Sequence, residues 1–175
     1  MIDELNPFQK KIVYTALTGA KTNLEVGGSI MPIAFVVNSK TQKIDIVGCH
    51  FSSQSAKEQF REFLGLRIRE KGVDTVVLCL ESWYVEAKNP EEVAEVCRVG
   101  ASNHPRRKEA VMVVVESRQG AWTAKIPIDR TGSMPSIDID RAKFEVSRQS
   151  MGLFSNFIAV KAAPKPIVNE GESHD

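Results

Sequence analysis

Most of what would announce a chemistry is missing from these 175 residues. The 23 Lys and Arg against 22 Asp and Glu leave a net charge of +1, so no overall field draws in nucleic acid, anionic lipid or a polyanionic substrate. Any such partner would need a local patch. No apolar run approaches the roughly 20 residues that cross a bilayer, and "MIDELNPFQKK" lacks the basic-then-apolar pattern of a secretory signal. The three cysteines, Cys49, Cys79 and Cys97, are an odd number in different settings, which argues against a disulfide framework and for a reducing cytoplasm. There is no C-x-x-C, no H-x-x-x-H and neither glycine-rich phosphate-binding pattern, so no metal and no cofactor is expected. No internal repeat is present.

What is there reads as one ordinary domain over residues 1–160, with 161–175 ("AAPKPIVNEGESHD" and its flank, proline and charge without pattern) as a flexible tail. Asn6 as N-cap and Pro7 at the first helical position open an amphipathic helix expected over Pro7 to Thr18, before the glycines of "EVGGS". "IMPIAFVVN" and "KIDIVGCH", joined by the polar "SKTQ", form a hairpin. A capping box of Ser55 and Glu58 starts a second helix, with Ala56, Phe60, Phe63, Leu64 and Ile68 on its apolar stripe and Gly72 at its close. "DTVVLCLESW" and "AVMVVVES" are apolar on both alternating faces and belong in the middle of a sheet.

In "AWTAKIPI", Trp122, Ala124, Ile126 and Ile128 share a face, and Pro127 marks an edge or a strand end. A short helix, Pro90 to Cys97, rides in the long connection between the central strands, capped by Asn89 and Glu92. "SIDIDRAKFEV" alternates like a strand, and "SMGLFSNFIAV" has helical spacing, giving a C-terminal helix. The expected fold is therefore α+β, a mainly antiparallel sheet of about five strands in the order helix-β-β-helix-β-β-β-helix. That order resembles the layout of profilin-like, roadblock and longin domains, which implies nothing about chemistry. The expected sheet edges are Lys43 to Cys49 and Ala121 to Ile128.

The densest polar cluster is "SNHPRRKE", Ser102 to Glu109. If the central strands pair antiparallel, Glu81, Ser82 and Trp83 end one strand where Arg107 and Glu109 begin the next. Two accounts compete for this cluster. In one, Glu81, Glu109, His104 and Arg107 line the pocket of a hydrolase or nuclease. In the other, Arg107 bridges the carboxylates and stacks on Trp83, Pro105 sets a bend, and His104 points to water and is replaceable. The tether is favoured, because ion-pair networks imitate active sites.

The strand ending in "ESW", followed by the S-x-x-P-x-R-x-E loop and an apolar strand, resembles an uncharacterised family of bacterial and phage-borne proteins over roughly Ile33 to Ile128. The resemblance implies no activity. It implies that Glu81, Trp83, Ser102, Pro105, Arg107 and Glu109 form one structural unit, in a chain carried by a phage or mobile element.

Other sites fare worse on spacing. Cys49 and His50 are neighbours on a strand and point to opposite faces. "SNHP" resembles part of the HSHP of zinc-dependent JAB-type isopeptidases, but Asn103 leaves one histidine and no aspartate follows at the required spacing. Glu86 and Lys88 match the end of a PD-(D/E)xK nuclease signature, with Asp74 as an upstream ligand, on a match of only three residues. Cys79 reads as buried, and Cys97 as a helix cysteine without a histidine partner. Arg98, Arg106, Arg107 and Lys108 have only Trp83 and Tyr84 as neighbouring aromatics, so nucleic acid is not expected. The leading expectation is a non-enzymatic cytoplasmic module that binds a protein or itself, a homodimer included, without touching a membrane.

Overall fold

Asn6 begins the first helix by exchanging hydrogen bonds with Gln9: its side chain accepts from the Gln9 N–H at 2.9 Å, and Gln9 Oε1 accepts from the Asn6 N–H at 2.8 Å. The remaining amide nitrogen of Gln9 donates to Thr75 Oγ1 at 2.5 Å, so one buried side chain both caps a helix and ties it to the sheet. The computed structural model describes residues 2–48, 53–69, 72–147 and 157–158. Within them the helix α1 spans Pro7–Gly27 and ends where Gly28 takes a left-handed conformation at φ 74°. That is longer than expected. Thr18 and Gly19 interrupt the apolar spacing locally, but Ala20 and Leu24 continue the stripe of Ile12, Val13, Ala16 and Leu17 onto the sheet, and burial outweighs propensity.

The hairpin follows as β1 (Ile33–Asn38) and β2 (Lys43–Gly48). Helix α2 (Gln54–Ile68) is capped by Ser53, which accepts from the Ala56 N–H at 3.1 Å, two residues before the expected Ser55. Its buried residues are Phe60, Leu64 and Ile68, while Phe63, expected in the stripe, is half exposed. Then come β3 (Thr75–Tyr84), α3 (Pro90–Val99), a 3-10 turn (Ala101–Asn103), β4 (Lys108–Ser117), β5 (Gly120–Pro127), a second 3-10 turn (Ile139–Arg141) and β6 (Phe144–Val146).

One antiparallel sheet holds all the strands in the order β2-β1-β3-β4-β5-β6, the α+β architecture expected with one strand more. β2 is an edge as expected, but β5 is not, because β6 pairs with it along Trp122 to Ala124. The predicted strand from Ile137 shrinks to β6, since the Asp138 side chain accepts from the Asp140 N–H and caps a turn. The predicted C-terminal helix and the tail lie outside the described residues, apart from Phe157 and Ile158.

The two faces of the sheet have separate cores. α1 covers Phe35, Val37, Val77, Cys79, Val111, Val113, Val115, Trp122, Ala124 and Ile126. α2 covers Ala34, Val36, Val76 and Leu78 from the other side, joined by Ile158. No described helix is long and apolar enough to cross a membrane. Because Leu24 is fully buried, Leu24→Ala should cost about 2–5 kcal/mol in denaturant unfolding. A cost near zero would mean that the last two turns of α1 do not pack on the sheet.

Candidate functional site

The β3–β4 register places Trp83 opposite Glu109, Tyr84 opposite Lys108 and Glu81 opposite Val111, so "ESW" and the charged loop meet at one end of the sheet as expected. By alternation, Glu81 and Trp83 follow Val77 and Cys79 on the α1 face, and Glu109 shares that face with Val111 and Val113.

Each group there has a separate task. Glu81 Oε1 accepts from the backbone N–H of Ile30 at 2.6 Å. Glu109 accepts from Arg130 Nε, and Arg130 Nη1 donates to the Gly28 carbonyl at 3.2 Å. The two carboxylates thereby clamp the link between α1 and β1 from two sides. Arg107 lies over the Trp83 ring, 4.4 Å from its centroid, and Nη1 donates to the Ser102 carbonyl. The expected stacking is present, but the expected bridging of carboxylates is not, because Arg130 already holds Glu109 and a backbone amide holds Glu81.

The loop itself is a series of short turns. Gly100 ends α3 at φ 83°, a conformation that favours glycine. The Asn103 side chain donates to the Val99 carbonyl at 3.2 Å, the His104 N–H to Ala101 O at 3.3 Å, and the Arg107 N–H to His104 O at 3.1 Å. His104 does not point to water. It is 4% exposed, and its Nδ1 accepts from the Arg106 N–H at 3.1 Å, so the imidazole is an internal part of the bend. Pro105 is exposed at the turn.

Ion pairs fasten the outside of the loop. Glu92 accepts from the Lys88 N–H at 2.8 Å and meets Arg106 at 3.1 Å, and these two contacts, the backbone one first, hold its carboxyl below the ordinary range. Lys108 meets Glu86 at 2.8 Å, which lowers the glutamate and raises the lysine through their shared hydrogen bond. Carboxyls depressed in this way contribute above the ordinary carboxylate range and lose that contribution as pH falls through their lowered values, so the fastening holds at neutral pH. Lys125 completes this end of the sheet by lying 4.1 Å from the Tyr84 ring centroid.

The four groups of the hydrolase or nuclease reading are spent on four different bonds. Among the described residues no group of three or more His, Cys, Asp or Glu could hold a metal ion. Cys49 and His50 lie outside them. Asp74 and Glu86 flank opposite ends of β3, and a ten-residue strand separates its ends by about 30 Å, so the nuclease signature does not assemble. Asp74 instead accepts from the Ser39 N–H at 3.1 Å, Ser39 Oγ at 2.9 Å and Thr75 Oγ1 at 3.0 Å, continuing the chain of bonds begun by Gln9. Burial pushes the Cys79 thiol up to about 12, which leaves it un-ionised and inert. Cys97 is a free, exposed thiol on α3.

Sequence reasoning missed Arg130, whose partners lie 21 and 102 residues away, and Glu116, a buried carboxylate that accepts the N–H groups of Phe157 and Ile158 at 2.7 and 3.1 Å. Neither carries a local pattern; the only hint was an unexplained charge in the apolar run "VMVVVES". No family model, curated protein or solved structure matches the chain.

With His104 buried inside the bend, His104→Ala should lower stability by about 1–3 kcal/mol, leaving the Arg106 amide without its acceptor. Arg107→Ala should cost about 0.5–1 kcal/mol, the scale of an exposed cation–π contact. Denaturant unfolding checks both, and a His104→Ala variant as stable as the native chain would return the imidazole to solvent.

Proposed function

We propose that the protein is a non-catalytic binding module of a reducing cytoplasm that self-associates through the β2 edge of its sheet. One observation carries this reading. β2 pairs along all six residues with β1 and has, among the described residues, no partner on its other side. It contains no proline, one of the devices that blunt an edge, and its charges, Lys43 and Asp45, share one face. The row of unpaired backbone groups is flanked by apolar surface: Ile44 is 37% exposed, Ile46 63%, and Met31, packed against Gly48, 53%. Exposed isoleucines beside an open strand edge are what an added strand would cover.

The opposite edge is the three-residue β6, too short to offer a comparable template. The free thiols of Cys79 and Cys97 support the reducing compartment. The hydrolase or nuclease alternative loses support, since Glu81, His104, Arg107 and Glu109 are each committed to holding backbone or another side chain in place.

Sedimentation velocity across a wide concentration range tests the reading. The weight-average mass should rise toward twice the chain mass, and Ile46→Lys should hold the protein at monomer mass with its fold intact. A native chain that stays monomeric at every concentration would remove self-association.

A further inference from the structure

Glu116 is a carboxylate in apolar surroundings. On β4 it lies opposite Val76 of β3 and Ala121 of β5, and it follows Val114 on the α2 face, where it is buried. Burying a charge there is costly unless hydrogen bonds replace its water. Main chain supplies them: Oε2 accepts from the N–H of Phe157 at 2.7 Å and from that of Ile158 at 3.1 Å. Ile158 enters the core formed with Phe60, Leu64, Ile68, Val76 and Leu78, and Phe157 packs against it.

An aliphatic residue at 116 would seat Ile158 as well and would continue the apolar run of β4. It would also leave a bare apolar face whenever the pair moved away. A carboxylate is satisfied in both situations, by two amides when the pair is seated and by water when it is not, so it lowers the cost of opening. The seat is also incompletely filled. A cavity of about 270 Å³ is lined by Phe157 together with Arg61, Glu62, Gly65 and Arg69 of α2, where a closed core leaves few voids. Among the described residues no strand ladder holds Phe157 or Ile158; their printed bonds run to one side chain.

We propose that this seat is a peptide-binding site closed by the chain's own Phe157–Ile158 pair. The pair unseats without unfolding of the sheet, and the open seat takes a partner peptide with an aromatic and an aliphatic residue in succession. Glu116 accepts the two consecutive N–H groups, and the α2-side core takes the aliphatic side chain. The chemistry of the partner is that of the pair seen in place. This reading does not rest on the self-association proposed above.

Two measurements on the full chain test it. In amide hydrogen exchange, Phe157 and Ile158 should exchange at least about tenfold faster than Val76 to Cys79, through an opening smaller than global unfolding. Equal protection of the two groups would overturn the latch. Fluorescence anisotropy then follows a labelled peptide of residues 154–161, which carries the same pair. Ile158→Asp, unable to seat its own segment, should bind this peptide saturably and more tightly than the native chain, whose seat is open only part of the time. Adding Glu116→Gln to that variant should weaken binding about tenfold, the scale of a charged acceptor replaced by a neutral one. Circular dichroism checks folding, and Ile158→Ala replaces Ile158→Asp if the charge disturbs it. Absence of saturable binding to the folded variant overturns the site, and binding unaffected by Glu116→Gln overturns the part given to the carboxylate.

Discussion

The ten-residue antiparallel pairing of β3 with β4, from Thr75 opposite Ser117 to Tyr84 opposite Lys108, positions everything else in the molecule. Val77, Cys79, Val111, Val113 and Val115 are fully buried under α1, while Val76 and Leu78 are buried under α2. Because side chains alternate, sliding one strand by a single residue would turn its α1-facing set toward α2. The register is therefore held by two cores at once. Its ends then fix where the polar groups sit: Gln9, Thr75, Asp74 and Ser39 at one end, Glu81, Trp83, Arg107 and Glu109 at the other.

Those polar groups act on backbone more than on each other. Gln9 holds its own N-cap, Glu81 the Ile30 amide, Arg130 the Gly28 carbonyl, Arg107 the Ser102 carbonyl, and Glu116 the amides of Phe157 and Ile158. Such bonds satisfy main-chain groups that leave regular structure at loops and helix ends. The exposed pairs Glu86–Lys108 and Glu92–Arg106 each contribute little alone. Together with the turns around Gly100 and His104 they fasten the long connection from β3 to β4 at several points. Among the described residues β2 has no partner on its outer side, a contrast that directs the functional reading away from the charged loop and toward the edge.

The parts of this fold that were legible in the sequence are those where local pattern and tertiary burial agree. β3 and β4 are apolar on both faces, Asn6-Pro7 and Asn89-Pro90 begin helices, and "ESW" meets the Arg-x-Glu of the loop because two central strands had to pair. Where the two disagree, the reading failed for a physical reason. Thr18-Gly19 is a poor place to continue a helix, yet Leu24 needs the sheet. Ser53 and Ser55 offer the same capping chemistry two residues apart. His104 sits in an irregular turn, where no periodicity says which way a side chain points. Arg130 reaches partners distant in sequence, which composition cannot reveal.

The central claim, that the strand-end charges serve the backbone, is tested most directly by amide hydrogen exchange in Glu81→Ala. Exchange at Ile30 should accelerate by at least about tenfold, as expected when a backbone N–H loses a charged acceptor, with the β3–β4 amides from Val76 to Cys79 as protected as before. Unchanged exchange at Ile30 would contradict the account, because Glu81 would then be free for some other task at that end of the sheet.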